Sequence, residues 1–196
     1  MFTVGVAGGI GSGKSTVCRM FGVLGIPVFN SDAEGKRLMQ HDREVRDRLE
    51  EAFGPQVFVN GQLDRRALGQ RVFHDQAALE RLNAIVHPAV RKAFALWAET
   101  QQAPYVINEA AILVETGAYK QLDHLVVVTA PLEQRLRWVM RRDQATRAEV
   151  EARMRNQTDD AERVAVADTV IVNDGRAMLI PQVLSAHEHI LRKARR

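Results

Sequence analysis

The residues with the clearest chemical potential form a glycine-rich segment near the start of the 196-residue chain. The segment matches G-x-x-x-x-G-K-[ST], in which glycines let backbone N–H groups approach a phosphate closely and surround it. We expect Lys14 to reach the β- and γ-phosphates of a nucleoside triphosphate, and the Ser15 hydroxyl to join the coordination shell of Mg²⁺. The predicted nucleotide contacts are Gly9, Ile10, Gly11, Ser12, Gly13, Lys14, Ser15 and Thr16.

The elements on either side of this loop are the ones that the motif requires. Residues 2–7 are an apolar, β-branched segment that predicts a buried strand, and residues 14–24 predict a helix. Backbone amides and the positive end of the helix dipole then face the ligand together. A glycine-rich turn without a ligand is the alternative, and this strand–loop–helix context argues against it.

Asp32 is the first candidate for a catalytic carboxylate. Gly25 is expected to end the first helix, and residues 27–30 predict a second short strand, so that Asp32 follows the carboxyl end of that strand. Open α/β sheets bind ligands at those ends, which would place Asp32 in the same crevice as the glycine-rich loop. The alternative is that Asp32, or Ser31, caps the next helix, and one carboxylate could serve both purposes.

The region from about residue 33 to 102 is predicted to be entirely helical. Asp42, Asp64 and Asp75 are expected to cap three helices, a turn is expected at residues 59–62, and Pro88 fits the first position of a long fourth helix. A helical block between two strands of a parallel sheet would suit a substrate-holding insertion. Its polar candidates for substrate contact are Arg65, Arg66 and His87, although a histidine before Pro88 is as well explained by a capping or core position.

Three further apolar segments complete a predicted five-stranded parallel sheet, at residues 105–109, 125–129 and 168–172. Glu109 ends the first of them and could orient water around the metal ion, or simply be a strand-end carboxylate. Because Asn108 precedes it, the segment is an imperfect match to the Walker B motif, in which four hydrophobic residues are followed by an acid.

Arginines are concentrated between residues 133 and 163. Pro131 is expected to open one helix and the capping box beginning at Thr146 another, with arginines on both. Such a pair of helices would form a lid whose cations stabilise charge on a transferring phosphoryl group. Interleaved acidic residues would suit the alternative of a solvated charged surface, but the phosphate-binding loop favours the lid. The arginines singled out on the two helices are Arg135, Arg137, Arg141, Arg142, Arg153 and Arg155.

Composition limits the class of protein. The net charge of +3 and pI near 9.3 suit anionic ligands, but the arginine-rich segment contains one aromatic residue, Trp138, and so lacks a platform for nucleic acid. Cys18, the only cysteine, is expected in the core. Short apolar runs and the absence of a signal peptide predict a cytoplasmic protein with no membrane contact.

We expect one domain with a core at about 1–31, 103–132 and 164–196, the insertion at about 32–102 and the lid at about 133–163.

Together these motifs resemble the dephospho-coenzyme A kinases, P-loop kinases akin to the nucleotide monophosphate kinases, along nearly the whole chain. The loop looks like the family's G-G-I-G-S-G-K-S-T, and residues 30–32 resemble its D-A-D segment, with Asn30 in place of the first aspartate. Residues 63–68 and 82–88 resemble its substrate-domain signatures. Residues 109–115 are similar to D-x-P-L-L-F-E, with glutamate at 109 and alanine at 111. Residues 173–175 resemble its N-x-G adenine-side turn.

The resemblance implies transfer of the γ-phosphate of ATP to the ribose 3′-hydroxyl of dephospho-coenzyme A, with Mg²⁺ as cofactor, in a monomer or small homo-oligomer. It assigns catalysis to Asp32 as the base, Lys14, Arg141 and Arg142. It adds Arg142, Asn173 and Gly175 to the ATP contacts. Its substrate contacts are Asp32, Arg65, His87, Leu113 and Glu115. The runner-up is another small-molecule or nucleotide monophosphate kinase; a nucleotide-dependent switch is disfavoured because no N-K-x-D motif for guanine is present.

Overall fold

The computed structural model describes residues 1–195, apart from the side chains of residues 73 and 74, and divides into two compact units. One unit is Met1–Asn30 with Gln101–Arg196, and the other is Ser31–Thr100. The described strands are β1 (Phe2–Ala7), β2 (Val28–Asn30), β3 (Phe58–Val59), β4 (Gln62–Leu63), β5 (Tyr105–Glu109), β6 (His124–Thr129) and β7 (Thr169–Val172). The described α-helices are α1 (Lys14–Val23), α2 (Ser31–His41), α3 (Arg43–Phe53), α4 (Arg65–His74), α5 (Gln76–Glu99), α6 (Leu132–Asp143), α7 (Arg147–Arg155), α8 (Asp160–Ala165) and α9 (Leu179–Ala194).

The first unit is built on the five-stranded parallel sheet that the sequence predicts. Its strand order is β2-β5-β1-β6-β7, so β1 is central and hydrogen-bonds to β5 on one side and β6 on the other. A parallel sheet needs cover on both faces. Helices α1 and α9 pack on one face around Phe21 and Ile190, and residues 110–122 pack on the other around Leu113. Cys18 lies in the first of these layers, as expected.

The sheet places the glycine-rich loop at the carboxyl end of its central strand. β1 ends at Ala7 and α1 begins at Lys14, so the loop spans residues 8–13 between two buried elements. Because Val4, Val6 and Val17 are fully buried, the loop is attached at both ends to a packed core. The confirmed strand–loop–helix arrangement therefore rests on ordinary apolar packing.

The second unit, Ser31–Thr100, corrects two predictions for this region. It is not all-helical, because β3 and β4 form a small antiparallel hairpin around Asn60 and Gly61, whose positive φ values of 50° and 76° suit a tight turn. Strands of two residues leave no alternating pattern in the sequence. The predicted caps Asp42, Asp64 and Asp75 are confirmed.

Helix α5 is the second correction, because it runs without a break from Gln76 to Glu99 with Pro88 inside it. Proline inside a helix removes one backbone hydrogen bond and costs roughly 3 kcal/mol. Ile85 and Phe94 are buried on either side of Pro88, so the apolar face continues past it. Burial of such side chains stabilises by roughly 1.5–3 kcal/mol each, which offsets the loss.

Smaller differences lie near the helix ends. Pro131 precedes α6 as its N-cap, and α9 begins at Leu179, two residues before Pro181, which was predicted to start it. The tail residues Arg192, Lys193 and Ala194 are helical rather than frayed, and residue 196 lies outside the described residues. The short helix α8 was not predicted. None of the described helices is both long and apolar enough to cross a membrane.

Candidate active site

The glycine-rich loop adopts a conformation that only glycine supports at two key points. Gly11 and Gly13 have φ values of 79° and 98°. A Cβ on Gly13 would lie 2.3 Å from Nδ2 of Asn173, and one on Gly11 would lie 2.8 Å from the backbone oxygen of Arg135. These glycines therefore satisfy both a left-handed backbone and close packing against neighbouring segments.

The loop's backbone amides divide into two groups. The N–H of Ile10 donates to Oε1 of Gln157 at 2.8 Å, and the N–H of Ser12 donates to the carbonyl of Gly9 at 3.1 Å. The N–H groups of Gly11 and Gly13 form no hydrogen bond with another described residue. These two donors, next to the N-terminus of α1, match the requirement of a phosphate-binding nest.

Lys14 begins α1 and folds back across the loop. Its Nζ donates to the carbonyl of Gly8 at 2.7 Å and reaches that of Gly9 at 3.3 Å. The ammonium is thus held over the loop by its own backbone, where it would meet the phosphates of a nucleotide.

Ser15, Glu109 and Asn30 form a hydrogen-bonded chain across three elements of the first unit. The Ser15 hydroxyl donates to Oε1 of Glu109 at 2.7 Å, and Nδ2 of Asn30 donates to Oε2 of the same carboxylate at 3.2 Å. Glu109 is 8% exposed. Parallel pairing of β2 with β5 sets Asn30 opposite Glu109, which explains the contact.

This chain fits Mg²⁺, which prefers a few oxygen ligands and keeps most of its waters. A hydroxyl whose proton is donated to a carboxylate presents its lone pairs to a cation, and the carboxylate adds negative charge beside it. Among the described residues there is no group of three or more histidine, cysteine, aspartate or glutamate side chains that could hold a metal by themselves. The residues therefore fit a metal that is shared with nucleotide phosphates.

One hollow adjoins the loop and a second lies beside the first, and together they gather several predicted residues. The larger, about 1190 Å³, brings Lys14, Ser15 and Thr16 together with Arg142 and Asn173. The other, about 930 Å³, is lined by Arg141 and Gly175, and Trp138 contributes to both. Eight of the predicted ATP contacts thus line the two neighbouring hollows, whereas Gly9, Ile10 and Ser12 line neither.

The predicted adenine-side residue Asn173 also supports the loop directly. Its Nδ2 donates to the carbonyl of Ser12 at 2.9 Å. Its own backbone N–H donates to Thr129 at the end of β6. Asn173 therefore fixes the loop relative to the sheet.

Arg142 is an exposed lid candidate for catalysis. Its side chain is 64% exposed and forms a salt bridge of 2.7 Å with Asp143, which also accepts from Arg153 at 2.9 Å. The guanidinium of Arg142 lowers the pKa of Asp143 below its ordinary value. An exposed pair of this kind stabilises little, so Arg142 can exchange Asp143 for a phosphate at small cost.

Two arginines of the same region are buried, which the sequence analysis missed. Arg135 is 7% exposed and Arg163 is 1% exposed. Both pair with Asp160, and Arg163 also pairs with Glu115 at 2.6 Å. The sequence gives little indication that these arginines are buried, because Asp160 and Arg163 look like an ordinary surface pair three residues apart on a helix.

Leu113 and Glu115, predicted to contact substrate, lie in well-packed surroundings. Leu113 is 4% exposed and packs in the layer that covers the sheet. Oε1 of Glu115 accepts from Arg163 and from the backbone N–H of Thr158. Their contact with substrate stays a prediction from the resemblance.

Asp32, Arg65 and His87 belong to the second unit. Asp32 lies in the first turn of α2, which begins at Ser31. Arg65 is the first residue of α4, and His87 is half-buried inside α5. Burial, and secondarily the charge of Arg91, lowers the pKa of His87.

Comparison with known proteins gives a consistent result. The family model described as dephospho-CoA kinase matches residues 2–178. A dephospho-CoA kinase from Bacteroides fragilis is 38% identical over 92% of this chain and 89% of its own length. A crystal structure of a Thermus thermophilus protein has a TM-score of 0.87 and 37% identity, covering 96% of both chains. A dephospho-CoA kinase structure from Campylobacter jejuni, with a TM-score of 0.69 and 23% identity over 97% of this chain and 98% of its own, shares the fold.

Proposed function

The chain belongs to the dephospho-CoA kinase family, and we propose from that premise how it phosphorylates dephospho-CoA in the final step of coenzyme A biosynthesis. The donor is ATP, and the acceptor is the ribose 3′-hydroxyl, so the products are coenzyme A and ADP. The observation that carries this proposal is a phosphate-binding loop with its lysine and hydroxyl in place inside a chain that matches the family along most of its length.

The loop residues hold the phosphates of ATP. Amides of Gly11 and Gly13 and the ammonium of Lys14 bind the β- and γ-phosphates. Ser15 would hold Mg²⁺ with Glu109 behind it, and the bound ion would neutralise charge on the transferring group.

Asp32 and the arginines complete the reaction. Asp32 accepts or orients the proton of the acceptor hydroxyl, as a general base does. It lies in the first turn of α2, directly after the end of β2. Arg142, with Arg141 nearby on α6, exchanges its surface pair for the γ-phosphate and stabilises the developing charge.

The two units and the arginine-rich segment take separate roles. The unit Ser31–Thr100 holds dephospho-CoA, with Arg65 and His87 contacting it, and residues 133–163 form the lid over ATP. Asn173 and Gly175 border the two neighbouring hollows, one each, beside which the adenine is bound. We place the protein in the cytoplasm as a monomer or small homo-oligomer, without membrane or nucleic-acid partners.

The test is ADP release, measured in a coupled assay with ATP and Mg²⁺. Dephospho-CoA is compared with AMP, CMP, shikimate and no acceptor, because the acceptor is chosen outside the phosphate-binding loop. Strong stimulation by dephospho-CoA alone supports the proposal, and the Lys14→Met variant should abolish it. Stimulation by another acceptor would favour the runner-up, a different small-molecule kinase.

A further inference from the structure

The backbone at Ile10 is held on both sides by side chains from the arginine-rich region. Its N–H donates to Oε1 of Gln157 at 2.8 Å, and its carbonyl accepts from Nε of Arg135 at 2.9 Å. Gln157 follows α7, and Arg135 lies in the first turn of α6. Two separate segments therefore fix the same residue of the phosphate-binding loop.

The loop is shaped to accept this contact. A Cβ on Gly9 would lie 2.1 Å from Nη2 of Arg135, so the guanidinium occupies the space that a side chain would need. The Ile10 side chain packs in turn against buried Leu136, Val139 and Val150 of α6 and α7. Both the backbone and the side chain of Ile10 therefore contact the arginine-rich region.

Arg135 is itself held in place by a buried ionic network. Its Nη1 donates to Oδ2 of Asp160 at 2.9 Å, whose other oxygen accepts from Arg163. Arg163 donates at 2.6 Å to Glu115, which also accepts from the N–H of Thr158, next to Gln157. The network thus connects the supports of both Ile10 contacts.

The buried pairing separates Arg135 from the other arginines on α6. If the guanidinium moved to a phosphate, the part-buried carbonyl of Ile10 and the carboxylate of Asp160 would each lose a hydrogen bond. Arg135 therefore stays where it is during the reaction. Arg141 and Arg142 are therefore the arginines of α6 that we expect to bind the transferring phosphate.

We propose that Gln157 and Arg135 are positioning residues for nucleotide binding, which act by holding Ile10 so that the amides of Gly11 and Gly13 face the phosphates. The inference rests on the proposed binding of ATP at the loop. Ile10 was predicted from the sequence to contact ATP, but its N–H is already hydrogen-bonded to Gln157. Loss of either side chain lets the Ile10 peptides turn, and the loop must be reordered whenever nucleotide binds.

The experiment measures the dissociation constant of Mg²⁺·ATP in a Trp97→Phe background. Trp138, which lines the same hollow as the loop, is then the only tryptophan and reports binding by its fluorescence. The first variant, Gln157→Met, keeps the length of the side chain but removes the oxygen that accepts from the N–H of Ile10. The second, Arg135→Lys, keeps the positive charge but removes the guanidinium that donates to both Ile10 and Asp160. Arg43→Met is the control, because Arg43 lies on α3, outside the loop and the lid, and its ion pair with Asp47 is exposed.

We expect Gln157→Met to weaken ATP binding about 5- to 10-fold, the value of one hydrogen bond. The KM for ATP should rise by a similar factor, whereas kcat at saturating ATP should stay within about threefold. Arg43→Met should leave the dissociation constant unchanged. In a double-mutant cycle, Gln157→Met and Arg135→Lys should be less than additive, because both act through Ile10, and Gln157→Met with Arg43→Met should be additive.

Binding is measured well below the melting temperature of every variant, so a loss of stability alone would not change it. Unchanged ATP affinity in Gln157→Met would overturn the inference, even if Arg135→Lys failed to fold. Additive effects of Gln157→Met and Arg135→Lys would also contradict it. If the unmodified protein failed to bind ATP, the proposed nucleotide site itself would be wrong, and that outcome is distinct from the others.

Discussion

Replacement of Glu109 by glutamine tests the chain of hydrogen bonds behind the proposed metal site. The carboxylate accepts from Ser15 on one oxygen and from Asn30 on the other. Glutamine has nearly the same size but presents an NH₂ group at one of these two positions. That group faces either the Ser15 hydroxyl, which must then turn its proton elsewhere, or the Asn30 amide, which is also a donor.

The expected magnitude follows from the two hydrogen bonds. A bond to a charged acceptor contributes about 1.5–3 kcal/mol and one to a neutral acceptor about 0.5–1.5 kcal/mol, so the loss is roughly 1–2 kcal/mol for the Ser15 contact alone. Loss of the negative charge beside the cation adds to this in a site that is 8% exposed. We expect kcat/KM to fall about 10- to 100-fold, with a higher Mg²⁺ concentration at half-maximal rate.

The assay is ADP release with dephospho-CoA, titrated with Mg²⁺ at fixed ATP, together with thermal unfolding. Glu151→Gln is the control, because Glu151 pairs with Arg147 on the surface. The melting temperature of Glu109→Gln should change by only a few degrees. A rate and Mg²⁺ midpoint within twofold of the unmodified protein would refute the role given to Glu109.

Three other changes have definite expected outcomes. Asp32→Asn should lower kcat at least about 100-fold, as loss of a general base does, while fluorescence still detects ATP binding; retained turnover would remove Asp32 from the mechanism. Arg163→Met should lower the free energy of unfolding by about 3–5 kcal/mol in urea titrations, because it leaves the largely buried carboxylate of Glu115 without its cation and takes one of two cations from the partly exposed Asp160; a change below about 1 kcal/mol would contradict this. Stability should fall with acidity because burial lowers the pKa of His124 from 6.5 to about 4. Between these two pH values the unfolded chain binds a proton that the folded chain does not. The free energy of unfolding should therefore decline by up to about 1 kcal/mol per pH unit as the pH falls from 6.5 to 4. His124→Gln should remove that part of the slope, and equal slopes between pH 7 and 5 would show that His124 does not titrate as described.

The sequence predicts features whose cause is local. The caps at Asp42, Asp64 and Asp75 and the capping box at Thr146 each bind backbone N–H groups within three residues. The parallel strands are continuous apolar runs, and the glycine-rich loop combines a motif with its flanking elements. These signals lie within a few residues of the structure that they produce.

Features that depend on distant partners are those that the sequence does not predict. Arg163 is buried because Glu115 lies 48 positions earlier, and Arg135 is buried because its guanidinium binds Ile10, 125 positions away. On sequence, both belong to a charged surface or a lid. Helix α5 continues through Pro88 because apolar packing on either side outweighs a local rule, and packing of this kind cannot be counted before the fold is known.

The most direct test of the proposed reaction is the identity of its product. The protein is incubated with ATP, Mg²⁺ and dephospho-CoA, and the product is examined by mass spectrometry and by ³¹P NMR correlated with the ribose protons. We predict one coenzyme A for each ADP, with the new phosphate on the 3′-oxygen. ADP without phosphorylated acceptor, or a phosphate on another hydroxyl, would contradict the proposed reaction.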